Sequence, residues 1–499
     1  MKAHHAFYLA AAVSLLAPAV TAAAPGAATS LPPIEEIVVT GELRDTGRAR
    51  FVQIRGIGER GQFAEPLNPS VGLVVDGVDL TGIGVTATLF DVEQVEVLRG
   101  PQGTLYGANA LAGLINVRTS DPTEAFTSRL RLQGANYDGW GIGGVVSGPL
   151  SGYRLAAQQY RDDGFTDNVY LDRDDTGEHD ELTLRGKLTW SPRDDQDWTF
   201  AAGYVDADNG YDAFSLDNDR NTRSDEPGWD RQETAYASAS LDWAISDAVA
   251  LAGSLGAASS DTDYGYDEDW TYEGFHPDGY SSTDRYLRDR DTVSLDLRVL
   301  SGPGGRLLNH RLDWVVGFYA LDQRAGLTRR YTFFPEPFTS DFDSRRMALY
   351  GEVAYALTER SRLVLGLRGE RHSADYENSD GVAFDPVDRM LGGRLVLERD
   401  FGDAAMGYLS VTRGYKVGGF NISGTLPPGL REYDPETLWN YEAGLKGRWL
   451  DGRLGARAAV FTMRREDVQV DTSLTIERGD SGAVEFVELI SNAAEGTNT

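Results

Sequence analysis

Three short stretches carry residue types that could do chemistry. GIGERG (56–61) has the glycine spacing of a dinucleotide loop. Such a loop must open a long helix, and Pro66 and Pro69 prevent one. GDSG (479–482) has the Asp-Ser-Gly of a nucleophilic serine. A serine nucleophile needs a histidine base, and no Ala-Ala-His-Cys counterpart exists in the chain. DNDRN (217–221) alternates oxygen donors like a calcium loop, but Arg220 interrupts it and its twelfth position is Gly228 instead of Glu. The six histidines (His4, His5, His179, His276, His310, His372) are scattered, and there is no cysteine. No catalytic residue, metal centre or cofactor is expected, and thiol chemistry is excluded.

Composition points away from other classes. The 499 residues carry 47 Lys+Arg against 77 Asp+Glu, a net charge of −30. A nucleic-acid partner needs a basic footprint, so none is expected; a solvated acidic surface is. The 57 Gly, 23 Tyr, 19 Phe and 9 Trp suit an all-β chain with many turns. Residues 1–24 read as a secretory signal peptide: Lys2, an apolar run from Ala6 to Val20, and small residues at Ala22–Ala24. That run is shorter than the ~20 residues a spanning helix needs.

The elements show as period-two alternation from about residue 125. In ELTLRGKLTW (181–190), Leu182, Leu184, Leu188 and Trp190 oppose Thr183, Arg185, Lys187 and Thr189. RLVLGLRGE sets Leu363, Leu365 and Leu367 against Arg362 and Arg368, and LWNYEAGLKGRW sets Trp439, Tyr441 and Leu445 against Asn440, Glu442 and Lys446. One apolar face per strand fits a soluble sandwich or a membrane barrel. Two features favour the barrel. Trp190, Trp198, Tyr204, Trp439 and Trp449 read as strand ends. Short connectors (149–153, 191–197, 244–248, 358–361, 450–452) alternate with long ones (207–233, 261–290, 323–344, 373–387, 415–436, 465–484). About sixteen transmembrane antiparallel strands are expected, their polar faces lining a lumen that is either open or plugged.

Residues 89–119, LFDVEQVEVLRGPQGTLYGANALAGLINVRT, place Gly and Ala between two strand-like runs. This stretch, FVQIRGIG (51–58), RGYKVGGFN (413–421) and YDPETLWNYEAGLKGRW (433–449) strongly resemble the TonB-dependent outer-membrane receptors of the siderophore-uptake branch. The resemblance implies a plug motif at Arg55, Gly56, Arg99, Gly100, Pro101, Gly103, Tyr106, Gly107 and Asn116. It implies that EEIVVT holds a TonB box at Glu36, Ile37, Val38, Val39 and Thr40, an extended segment suited to adding as a strand to TonB; an ordinary edge strand is the other reading. It implies that plug arginines pair with wall carboxylates, with Glu442 the partner, unless plug carbonyls satisfy them.

The expected domains are the signal peptide 1–24, a periplasmic segment 25–50 containing the box (35–40), a shortened plug 51–124 and an incomplete barrel 125–499. Only GELRDTGRAR (41–50) separates the box from the IRG motif, and the family's barrels have 22 strands, so a fragment or a degenerate copy is expected. Arg329, Arg330 and Lys416 are the expected anion-facing ligand contacts, with loop aromatics such as Trp270 available for stacking. The expected function is outer-membrane uptake of an iron chelate in a Gram-negative bacterium, energised through TonB; it is transport, not enzymatic turnover. A passive porin-like pore and an inert remnant are the alternatives.

Overall fold

The computed structural model describes residues 52–58, 68–84, 89–103, 107–149, 152–277, 279–423, 426–450, 453–478 and 483–499. The signal peptide, the TonB-box segment 35–40 and Tyr106 lie outside these residues.

A bilayer core offers backbone N–H and C=O groups no partners, so a spanning sheet must satisfy them within itself. The plug contributes four strands, β1 (Val71–Val75), β2 (Val78–Asp79), β3 (Val92–Arg99) and β4 (Gly113–Thr119). Around them, among the described residues, run sixteen long strands. The first eight are β5 (Thr127–Gly134), β6 (Trp140–Gly148), β7 (Tyr153–Asp162), β8 (His179–Arg193), β9 (Gln196–Tyr211), β10 (Gly228–Trp243), β11 (Val249–Asp267) and β12 (Thr283–Ser301). The rest are β13 (Leu312–Tyr331), β14 (Phe338–Thr358), β15 (Ser361–Asn378), β16 (Val387–Phe401), β17 (Ala405–Lys416), β18 (Glu436–Trp449), β19 (Leu454–Arg478) and β20 (Ala483–Asn498). Each pairs antiparallel with the next, and the order returns on itself with β20 beside β5. At that seam β5 is exposed along almost its whole length, on both faces.

The side chains are inverted relative to a soluble protein. Leu184, Leu188, Leu349, Leu365, Leu395 and Leu409 are exposed, while Lys187, Arg368, Glu370, Glu436 and Glu442 are buried. The exposed face meets hydrocarbon; the buried face meets the plug. Trp190 pairs with Trp198 across the β8–β9 turn, and Trp243 and Trp449 end their strands at the same rim, where indole suits an interface. Tyr204 lies mid-strand in β9, not at an end, its hydroxyl 2.8 Å from Glu233. Short turns close this rim; at 402–404, Gly402 takes a φ of +71° that a side chain would resist.

The opposite rim differs from the sequence expectation. Eleven of the sixteen strands run 15–25 residues where ~10 suffice to cross, so much of the expected long loops is strand. On β11 the outward face is apolar through Leu255 and Ala257, then turns to Ser259 and Asp261. Above the belt both faces are wet, so the ladder continues without an apolar face to announce it. The long loops that remain are 163–178, 212–227, 268–282 and 417–435.

The plug sheet has the order β2-β1-β4-β3, with β1 and β4 parallel and the other pairs antiparallel. Ile54, Ile57, Leu111 and Ala112 pack on wall residues Leu438 and Met463, and Val75, Val78, Leu80 and Ile83 pack on Tyr236 and Ala258. If the outward face is lipid-facing, Leu365→Arg lowers stability by about 2–4 kcal/mol near the bilayer centre, read by denaturant unfolding from vesicles. A change within error would contradict the assigned belt.

Candidate functional site

The candidate site is the seat of the plug in the wall. Arg55 has φ +54° in a tight turn closed by the Ile54–Ile57 bridge, followed by Gly56 at +77°. The turn aims its guanidinium at β18, where Nη1 lies 2.8 Å from Glu442 Oε2. Both side chains are under 10% exposed. Glu442 also accepts the Tyr408 hydroxyl at 2.6 Å, and Arg55 stacks 3.8 Å over the Phe461 ring. A buried charge pair holds only when its remaining lone pairs are satisfied, and here tyrosine and asparagine supply those donors.

The plug motif then lies along the wall. A Cβ on Gly103 would sit 3.3 Å from the Gly414 Cα of β17, so backbone meets backbone. Pro101 fills the space against Gly414, and Gly100 lies against Asn440. Gly107, at φ +77°, leaves no room for a side chain: a Cβ would lie 2.5 Å from Glu370 Oε2 and 2.8 Å from Arg368 Nη2. That Arg368–Glu370 pair, 2.8 Å apart and 0% exposed, also accepts the Tyr415 hydroxyl at 3.1 Å. Asn116 donates to Glu96 at 2.9 Å within the plug.

Further anchors carry no motif signal. Lys187 on β8 reaches Asp76 in the β1–β2 turn at 3.2 Å and the Thr119 carbonyl at 2.7 Å. Asp91, just before β3, holds Arg154 at 2.5 Å and Arg129 at 3.1 Å. Arg290 donates to the Thr81 carbonyl at 2.9 Å, and Arg185 donates to the Phe90 carbonyl. Only the inward phase of Lys187 hinted at the first of these. Between plug and wall, toward the short-turn rim, lies a cavity of about 450 Å³. Asp76, Asn116, Lys187, Asp242, Arg298 and Tyr319 line part of it.

Other sequence candidates fall elsewhere. Arg99 is exposed at the end of β3, while Glu442 is occupied by Arg55. Arg329 lies on β13, its guanidinium held by Asp284 at 2.6 Å and flanked by Tyr286, Tyr331 and Phe334. Arg330 takes the opposite face of that strand and is exposed, and Lys416 is buried at the end of β17. The three do not converge on one ligand position, because strand alternation separates the first two and burial removes the third.

With this geometry in view, two family models match: the TonB-dependent receptor plug domain over residues 26–114, and the TonB-dependent receptor-like β-barrel over 116–498. The chain belongs to the TonB-dependent receptor family. It is an outer-membrane barrel with an internal plug. The pesticin receptor of Yersinia enterocolitica is 26% identical over 455 residues, covering 86% of this chain and 64% of that protein. The ferric-pyoverdine 358 receptor of Pseudomonas putida is 23% identical, covering 83% and 54%. Among solved structures, the ferric yersiniabactin uptake receptor of Yersinia pestis superposes with a TM-score of 0.70 at 25% identity, covering 84% of this chain and 66% of that one. The chain thus spans less than two thirds of the length of these relatives.

The outer loops form an organised rim. Asp212 accepts Asn168, Thr176 and Thr222 at 2.6–2.8 Å, and Trp270 stacks on Phe214 at 4.7 Å. Asp267, at the loop end of β11 ten residues past the apolar belt, is 5% exposed. Its Oδ1 accepts the N–H groups of Asp269 and Trp270, and its Oδ2 is buried without a partner. Burial pushes its carboxyl up to about 7, with Asp269 beside it adding to the rise.

Two predictions follow from this site. Glu442→Ala strands Arg55 and loosens the plug by about 3–5 kcal/mol, measured as protease sensitivity of the plug against an intact barrel; Gly107→Ala should act in the same direction. The second concerns pH. A carboxyl raised on folding stabilises the rim below its unfolded pKa and loses that contribution as pH rises through about 7. Amide exchange at 268–282 should therefore quicken relative to the barrel between pH 6 and pH 8, and Asp267→Asn should remove the difference.

Proposed function

We propose that this chain takes up a ferric siderophore-type chelate across the outer membrane, energised through TonB. The observation that carries the reading is the plug seat. The family's plug motif lies on the wall through glycines, with Gly107 against a fully buried ion pair, so the plug is closely fitted yet not covalently held. Relatives named as pesticin, ferric-pyoverdine and ferric yersiniabactin receptors support the ligand class. Glu36, Ile37, Val38, Val39 and Thr40 are the proposed TonB box, able to pair as an added strand with its partner. Ligand contact at the outer rim would be relayed to the periplasmic face, where pull on that strand shifts the plug.

The test is uptake by cells expressing the chain, with a panel of radio-iron-labelled carboxylate, hydroxamate and catecholate chelates. Uptake of at least one chelate should stop with a protonophore and on deletion of residues 35–40. Uptake that survives both would identify a passive pore instead.

A further inference from the structure

Buried carboxylates of the wall and plug are answered by arginine. Asp91, Asp284, Asp296, Glu352, Glu436 and Glu442 each hold a guanidinium at 2.5–2.8 Å. Asp267, at the loop end of β11, is different. It is 5% exposed, and among the described residues no basic side chain pairs with it. Its Oδ2 is buried with no hydrogen-bond partner. Among the described residues only Glu370 shares that condition, and Arg368 already neutralises Glu370 at 2.8 Å. Burying a carboxylate without a counter-charge or a donor is costly, and buried polar atoms are nearly always satisfied.

The surroundings supply more oxygen and no positive charge. The side chains of Asp269 and Ser224 stand beside the Asp267 carboxyl. Asp269 is held in place, its Oδ1 accepting the Ser282 N–H and its Oδ2 the Thr271 hydroxyl, each at 3.0 Å. Ser224, Thr271 and Ser282 are all buried. The Asp225 N–H donates to the Thr271 carbonyl at 3.0 Å, which ties the loop at 212–227 to the loop at 268–282. Asn168 Nδ2 donates to the Ser224 carbonyl at 2.9 Å and to Asp212 Oδ2 at 2.8 Å, which brings in the loop at 163–178. Asp212 is a second buried carboxylate of this cluster that no basic side chain pairs with among the described residues. Carboxylate and hydroxyl oxygens without nitrogen or sulfur are the ligand set of a hard cation. No three Asp, Glu or His side chains converge among the described residues, so two carboxylates would carry the charge and neutral oxygens or water the rest.

We infer that Asp267 and Asp269, with the Ser224 hydroxyl, form a site for a calcium-type divalent cation at the outer rim. Two carboxylates balance one such ion. Magnesium demands near-octahedral geometry and sheds water reluctantly, whereas calcium accepts an irregular set of oxygens drawn from a strand end and a loop. The bound ion clips the end of β11 to the loops at 212–227 and 268–282, so the order of this part of the rim follows external calcium. With only two carboxylates the site is weak, in the range of extracellular calcium modules. The inference goes beyond the uptake reading and uses no part of it.

The test is terbium(III) luminescence of the purified full chain in detergent, excited through tryptophan. The Trp270 N–H lies 3.3 Å from Asp267 Oδ1, which puts a sensitising indole beside the site. Emission should saturate, and calcium chloride should displace it with half-effect at about 10⁻⁴–10⁻³ M, magnesium chloride more weakly. Asp267→Asn should raise the half-saturating terbium concentration by roughly tenfold. Asp217→Asn makes the same charge change at an exposed residue of the neighbouring loop, paired with Arg223, and should leave it unaltered. Calcium should also slow amide exchange at 268–282 in the parent and not in Asp267→Asn. Should that variant not fold, as judged by heat-modifiable gel migration, Asp269→Asn takes its place with the same expected loss. Equal terbium binding by the parent and the variant, an adventitious surface ion only, or exchange indifferent to calcium would each overturn the site. No readout involves TonB or a transported chelate, so failure of uptake and failure of this site are separate outcomes.

Discussion

The structure depends on one constraint: hydrocarbon cannot hydrogen-bond a peptide group. Every spanning strand must therefore pair with its neighbours, and the ladder runs in register from β5 round to β20. Apolar side chains then go outward and polar ones inward. The polar interior is not an ornament of function but a consequence of which face meets lipid. A lumen lined by Arg, Lys, Asp and Glu must be wet or filled with groups that pair with them.

The plug meets that demand in two ways. Small residues let its backbone approach the wall, as at Gly103 against Gly414. Charged contacts then set its position: Arg55 to Glu442, Asp76 to Lys187, Asp91 to Arg154. Each buried pair stabilises weakly in net terms, because desolvation offsets most of the attraction, yet breaking one strands a charge. Such contacts are good at fixing register. They also suit an insert that must move, since water entering during displacement resolvates the separated partners.

The barrel was legible because period-two alternation is local. Leu363, Leu365 and Leu367 mark an outward face wherever the strand lies. The plug was legible through a long motif whose glycines answer a need of the backbone. The extended rim was not, because above the bilayer neither face is apolar; Arg329 and Arg330 therefore read as loop although they lie on β13. Lys187 and Arg368 looked alike in sequence, each a charge in the inward phase, yet one ties down the plug and the other is closed by Glu370.

By itself the sequence determined that this is a plugged, outer-membrane β-barrel without thiol chemistry, because alternation, aromatic placement and a glycine motif are written in consecutive residues. Tertiary structure alone decided which charges meet. Arg55 and Glu442 are separated by 387 positions and brought to 2.8 Å only by strand register and plug insertion. A charge shows its sign in the sequence, but its partner is fixed by the neighbouring strand.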